Sequence, residues 1–235
     1  MVRCPEPILT ADANEAETAI LSRRAVRRFL TEPVDLALVE RLLAVAARAP
    51  SGTNMQPWRT HVVTGRTRAR LCAELCDAYD RHDPDEAEHP FYPEPFFEPY
   101  LSRRRKVGWG LYGLLGISRE EKAKMHAQHR RNFVFFDAPV GLIFTIDRRL
   151  KIGSWLDYGM YLQTFMIAAR SHGLDTCPQA AFTHLHGVIR RCLPIDENHE
   201  IICGMALGKA DPDAPENRLV TDRVAPRDFA TFHAD

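Results

Sequence analysis

No stretch of this chain approaches the ~18 consecutive apolar residues of a membrane helix, so a helical membrane protein is not expected. The opening MVRCPEPILTADANEAE lacks an apolar segment and turns acidic at once, which argues against a secretory signal. Net charge is also missing: 31 Lys+Arg balance 31 Asp+Glu. Nothing in that balance favours a nucleic-acid partner, whose phosphates require an excess of cations. The six cysteines (Cys4, Cys72, Cys76, Cys177, Cys192 and Cys203) form no CxxC and no even spacing. They read as small apolar residues kept reduced, neither a zinc ribbon nor a disulfide scaffold. Internal repeats and low-complexity tracts are absent. A cytoplasmic globular protein is the expectation that survives these exclusions.

With 235 residues, 45% of them hydrophobic, the chain is long enough for one domain with a substantial core. A flexible arm is expected over residues 1–15 and a single domain over 16–235. Periodicity predicts helices from Ala13 to Leu21 and from Leu36 to before Pro50, the second capped by Asp35. Thr60–Thr64 alternates as a strand does, and the stripe from Leu71 to Tyr79 makes a third helix. Further helices are expected over Tyr100–Leu115 and from Ser118, where Ser118-Arg119-Glu120-Glu121 fits a capping box. Val140–Ile146 and Glu200–Leu207 read as strands, and Thr183–Leu193 as a helix. Trp155–Ser171 is apolar nearly all round and ends at Gly173, so it belongs in a core or an interface. Asp80–Pro99 holds five prolines and several aromatics, which suits a lid or equally a packed surface excursion. Residues 211–235 have no period and resemble an extension over another surface. The pattern is α+β with few strands, without regular βαβ alternation.

Two literal motifs are set aside. Gly108-Trp109-Gly110-Leu111-Tyr112-Gly113 satisfies GxGxxG, but SRRRKV precedes it where a dinucleotide fold needs a strand. Close packing of a helix explains these glycines better. His126 and His129 share a helical face, yet no second ligand pair accompanies them, and no metal site is expected.

Two other segments carry chemistry. Ser22-Arg23-Arg24-Ala25-Val26-Arg27-Arg28-Phe29 clusters permanently charged, planar donors that suit a phosphate monoester, although a solvated basic turn has the same composition. The loop Ala49-Pro50-Ser51-Gly52-Thr53-Asn54-Met55-Gln56-Pro57-Trp58 gathers a hydroxyl, free amides and two carboxamides. Carboxamides donate and accept, which suits the edge of a pyrimidine-like ring. A self-bonded loop with Trp58 in the core is the competing reading.

Taken together, SRRAVRRF, a helix and APSGTNMQPW closely resemble the opening of the FMN-dependent nitroreductase family. LYGLLGI at 111–117, NFVFFDAPVGLIF at 132–144, GLDTCPQAAF at 173–182 and GMALGKADPDAPENRLVTDRVAPRDF at 204–229 are similar to its branch acting on nitroaromatic acids. The resemblance spans about residues 16–232. It implies a central mixed or antiparallel sheet flanked by helices, in an intertwined homodimer whose two chains build each flavin site.

By that resemblance, Arg23, Arg24, Arg27 and the backbone of Ala25 hold the FMN phosphate and ribityl chain, with Arg223 completing the grip. Pro50, Ser51, Gly52, Asn54 and Gln56 line the ring from the partner chain. Pro178, Gln179, Ala180 and Ala181 lie near the reactive N5 edge. Asn132, or an arginine among Arg103–Arg105 and Arg130–Arg131, faces the pyrimidine carbonyl. NADH or NADPH supplies hydride in a ping-pong cycle, a small aromatic acceptor follows, and no side chain is nominated as acid or base. Ala25 replaces a serine common in the family, Ala180 a glutamate and Thr221 a lysine of one branch, which bears on substrate more than on FMN. The same fold also hosts reductive dehalogenation, flavin-dependent oxidation and flavin binding without turnover.

Overall fold

The computed structural model describes residues 13–86 and 88–234, so positions 1–12 of the expected arm lie outside it. Helix α1 (Glu15–Ser22) begins within the arm's last positions because Asn14 closes a capping box: its Oδ1 accepts from the Glu17 amide at 3.0 Å, and the Glu17 carboxylate accepts from the Asn14 amide at 2.9 Å. Helix α2 (Leu36–Ala46) starts at Asp35, whose carboxylate accepts from the Ala37 amide at 2.9 Å, and stops before Pro50 as expected.

A four-stranded sheet forms the centre, with β1 (Arg59–Val63), β2 (Val140–Asp147), β3 (Asp175–Gln179) and β4 (His199–Gly208) in the order β1-β2-β4-β3. Every pairing is antiparallel. Helices pack on both sides, and the chain is α+β as expected. One face carries Leu142, Phe144, Met205 and Leu207 against α2 and α6 (Ile152–Ser171). The other carries Ile143, Ile201 and Ala206 against α3 (Gly65–Asp80) and α7 (His186–Cys192). Ile202 is the extra residue of a bulge, since Phe144 pairs Cys203 and Thr145 pairs Ile201. Ile202 and Cys203 therefore both join the α6 side.

Strand β3 has no counterpart in the expectations because Pro178 interrupts its pattern. At a sheet edge the missing proline N–H costs no ladder bond. The outer side of β3 receives the arginine segment instead: Ala25 bridges Thr176 in parallel, and the Val26 amide donates to the Thr176 carbonyl at 3.1 Å. The packing thus lays Arg23–Arg27 beside Cys177–Ala181.

The segment between α5 (Lys122–Arg130) and β2 was also unexpected. Its 3₁₀ turn carries left-handed φ at Phe135, Phe136 and Asp137 (54°, 52° and 70°), and Phe133, Phe135 and Phe136 are buried. A Cβ on Gly141 would fall 2.5 Å from the Phe135 ring, and one on Gly204 2.5 Å from the Phe182 ring. Glycine at these two strand positions lets the stacked Phe135–Phe182 pair lie flat on the sheet.

Three boundaries differ from expectation. Only half of the Ser118 capping box forms, with the Glu121 carboxylate accepting from the Ser118 amide at 2.9 Å, and α5 starts four residues later. The expected Thr183–Leu193 helix divides into a 3₁₀ turn over Ala180–Leu185 and α7. Gly108, Gly110 and Gly113 lie within α4 (Tyr100–Leu114), where the Gly110 position abuts Leu219. Five cysteines, Cys72 to Cys203, are free and buried. Among the described residues no helix is long and apolar enough to cross a membrane.

Candidate functional site

A cavity of about 640 Å³ opens where β3, the 3₁₀ turn after it, α4, α5 and the irregular 80–100 segment meet. Arg27, Asn132, Pro178, Gln179, Ala180 and Ala181, all expected site residues, line it. Tyr92, Glu94 and Phe96 contribute from the 80–100 segment, and Arg104, Leu111 and Tyr112 from α4. The α4 residues are spaced i, i+7 and i+8, one helical face, so periodicity brings all three to the wall.

The arginines fall into two groups. Arg28 pairs with Asp137 at 3.0 Å, Arg130 with Asp80 at 2.8 Å, and Arg131 with Asp137 and Glu216 at 3.0 and 2.5 Å. Arg130 and Arg131 are therefore each held by carboxylates within the chain. Arg23, Arg24, Arg27 and Arg223 have no carboxylate partner among the described residues. Burial, then the neighbouring Arg223 charge, lower the pKa of Arg23. Two like charges brought together with one of them half-buried are unfavourable until an anion joins them. Arg27 donates to the Ala25 carbonyl at 3.3 Å and Arg223 to the Thr221 hydroxyl at 2.8 Å, so both are oriented without being neutralised. Asn217 fixes the backbone of the cluster, accepting from the Arg27 and Arg28 amides at 2.8 and 3.2 Å.

Two carboxamides complete the wall. Gln179 is buried and donates to Asn132, at 2.8 Å to its carbonyl and 3.3 Å to its Oδ1, leaving Gln179 Oε1 without a partner among the described residues. Gln128 is buried with its Nε2 unpartnered. An unmet buried polar atom costs about 1–3 kcal/mol, which a ligand offering both donor and acceptor would relieve. Asn132 itself donates to the His129 carbonyl at 2.8 Å. His129 and His184 also border the cavity; burial first, then His126 and His184, lower the His129 pKa, favouring its neutral form. His126 turns elsewhere, stacking on Tyr79 at 4.4 Å and bonding Asp80. Gln128 gives no signal in the sequence, and His129 and His184 stand out there only in histidine spacings too weak for a metal site.

The Pro50–Gln56 loop is not on this wall. Pro50 borders a shallow depression on α6 with Trp155, Leu156, Gly159 and Met160. The loop is held by its own bonds: the Gln56 amide donates to Ser51 Oγ at 3.0 Å, and the Gln56 side chain to the Asn54 carbonyl at 3.2 Å. Thr53, Asn54 and Gln56 have left-handed φ of 48°, 60° and 49°, a run of strain typical of functional loops. Trp58 is buried and stacks on Tyr161 at 4.8 Å. Beside the loop α6 exposes Ile152 (84%) and Leu156 (70%), a solvent-facing apolar strip on a helix whose other face is core.

The cavity thus lies beside an edge strand, with arginines free of carboxylates near one end and buried carboxamides in its wall. Residues 20–209 match the Nitroreductase family. A nitrobenzene nitroreductase of Ectopseudomonas oleovorans is 42% identical over 215 residues, covering 91% of this chain and 94% of that protein. A 4-nitrobenzoate reductase of Pseudomonas putida is 42% identical over 219 residues, 93% and 96% of the two chains. Among solved structures, the FMN and NADPH-dependent nitroreductase NfnB of Sphigopyxis sp. strain HMH superposes with a TM-score of 0.89 at 36% identity, covering 94% of this chain and 99% of that one. The chain belongs to the nitroreductase family.

Proposed function

We propose that the protein is an FMN-dependent oxidoreductase that uses NADH or NADPH to reduce nitroaromatic compounds. The observation carrying this reading is the unneutralised Arg23–Arg27–Arg223 group beside a cavity lined with unmet carboxamide atoms. A phosphate monoester satisfies the arginines, and a ring with an imide edge offers a donor and acceptors to Gln179 and Gln128. FMN held there would supply hydride transfer between a reduced nicotinamide and the acceptor.

The protein's own part is placement. Arg23, Arg24, Arg27 and Arg223 anchor the anionic end, with the Ala25 backbone against β3. Pro178–Ala181 present the edge-strand backbone to the reactive side of the ring, and Asn132 holds the Gln179 carboxamide in register. The aromatic wall of Tyr92 and Phe96 reduces access of water. The same cavity admits nicotinamide first and acceptor second, the ping-pong order.

The site is completed in a homodimer. Support comes from the α6 strip of Ile152 and Leu156 and from the strained Pro50–Gln56 loop, which faces away from its own cavity. In the proposed assembly Pro50, Ser51, Gly52, Asn54 and Gln56 cover the ring in the second copy's cavity. The exposed tail with Phe229 and Phe232 reaches across that copy. Buried free thiols suit a reducing, cytoplasmic setting.

The test is the visible spectrum of the purified protein during anaerobic addition of NADH or NADPH, then of a nitroaromatic. Flavin absorption near ~450 nm that bleaches and then returns establishes the cycle. A colourless protein that takes up no added FMN overturns it.

A further inference from the structure

Among the described residues three acidic or basic side chains other than histidine line the cavity: Arg27, Glu94 and Arg104. Arg27 lies on the wall shared with Cys177 and the phosphate-directed arginines. Arg104 projects from α4, on the face it shares with Leu111 and Tyr112, and its guanidinium carbon sits 4.4 Å from the centre of the Phe96 ring. Phe96 therefore restrains the guanidinium plane, and stacking leaves the N–H edge available. Nothing else occupies that edge, since Arg104 has no ion pair with any described residue. Its neighbour Lys106 is by contrast neutralised by Asp222 at 2.7 Å. Glu94 borders the same cavity without coming within 4 Å of an Arg104 nitrogen.

An oriented, unpaired guanidinium among Phe96, Tyr112 and Leu111 is a receptor for an aromatic ring bearing an anionic substituent. We propose that Arg104 is a specificity-determining residue, pairing with the carboxylate of nitrobenzoate-type acceptors so that the enzyme favours them over neutral nitrobenzenes. The inference rests on the nitroaromatic reading above and adds the substrate class and the residue that selects it. A guanidinium presents two parallel N–H groups to a carboxylate, which fixes the ring's direction as well as its charge. Glu94, a like charge for such an acceptor, opposes the preference and sets its limit.

The experiment compares kcat/KM for 4-nitrobenzoate and for nitrobenzene in the wild-type holoenzyme, Arg104→Gln, Arg104→Lys and Glu94→Gln. FMN dissociation constants and NADPH KM are measured alongside. The expected result is a 4-nitrobenzoate/nitrobenzene ratio that falls about tenfold to a hundredfold in Arg104→Gln, the range for one charge-assisted hydrogen bond. Arg104→Lys keeps part of the ratio, Glu94→Gln raises it, and in wild type the KM for 4-nitrobenzoate climbs with salt. A ratio unchanged in Arg104→Gln overturns the inference. So does a selective rise in NADPH KM, which makes Arg104 a dinucleotide contact, or a selective loss of FMN affinity. Wild-type protein that reduces neither compound overturns the nitroaromatic reading and this inference with it. Wild-type protein that reduces both without preference overturns this inference alone.

Discussion

The Gly52 amide donates to the Asp157 carboxylate at 3.1 Å, and that bond ties the strained Pro50–Gln56 loop to α6. Asp157 is buried, and its carboxylate lies 3.8 Å from where a Gly52 side chain would begin. A loop holding three left-handed non-glycine residues keeps its shape only while its ends are fixed. If the loop covers a second copy's flavin, Asp157 controls cofactor binding without touching the cofactor.

Replacing Asp157 by alanine is therefore expected to destabilise the fold by about 0.5–1.5 kcal/mol, by removing the bond to the Gly52 amide. FMN affinity should fall as well, measured by recovery of flavin fluorescence on dilution. Asp157→Asn, which keeps an acceptor oxygen, should restore most of that affinity. Equal FMN affinity in wild type and Asp157→Ala would remove the loop from the site.

Glu88 anchors the start of the 80–100 segment. Its carboxylate meets Arg190 at 2.9 Å, Arg148, and the Ile201 amide at 3.0 Å, with His186 Nδ1 at 3.8 Å. Burial pushes the Glu88 carboxyl up, but the Ile201 amide, Arg148, His186 and Arg190 outweigh it and hold it below its ordinary value. A carboxyl lowered on folding contributes stability above its unfolded pKa of about 4.3 and loses it as pH falls through the folded value. Glu88→Gln should cost about 1–3 kcal/mol at neutral pH, because two arginines, one of them partly exposed, lose a charged hydrogen-bond partner. In urea unfolding, the gap between wild type and Glu88→Gln should narrow as pH drops below about 4. A gap independent of pH would show that the carboxylate charge is not what anchors the segment.

What the sequence disclosed follows from how local each signal is. Helix α2 was legible because Asp35 and Pro50 bracket it. The β2 and β4 strands were legible because both are buried on two faces and so read as apolar runs. Strand β3 was hidden by Pro178, tolerable only at an edge that composition does not reveal. The turn through Phe135 and Phe136 was hidden because phenylalanine gives no warning of positive φ. Within the cavity, Arg27, Asn132 and Pro178–Ala181 came from contiguous motifs. Gln128 and His184 come from α5 and the turn before α7, and tertiary packing alone brings them to the wall. Nor does sequence separate Arg27 from Arg28: a carboxylate at Asp137, over a hundred residues away, neutralises one and not the other.

The 80–100 segment is anchored by hydrogen bonds in its first half and exposes aromatic side chains in its second. The Asp85 carboxylate accepts from the Gly187 amide at 2.7 Å, and the Asp85 amide donates to the His184 carbonyl at 2.8 Å. With the Glu88 contacts these bonds bind Asp85 and Glu88 to α7, the turn before it and β4. Beyond them Phe91, Tyr92 and Phe97 are exposed, while Tyr92 and Phe96 border the cavity. Phe97 instead packs edge-on against Tyr100 at 5.1 Å and is 56% exposed. If the aromatic tip closes over the acceptor, its loss should weaken acceptor binding and leave the cofactor in place. Tyr92→Ala with Phe96→Ala is thus expected to raise acceptor KM about tenfold, given the apolar area removed. Bound FMN per chain should stay at the wild-type level, and Phe97→Ala should leave acceptor KM close to wild type. Steady-state kinetics with flavin quantified by absorbance would decide it. A double variant that loses FMN instead would make Tyr92 and Phe96 part of the flavin wall, with the tip fixed in place and no closing motion.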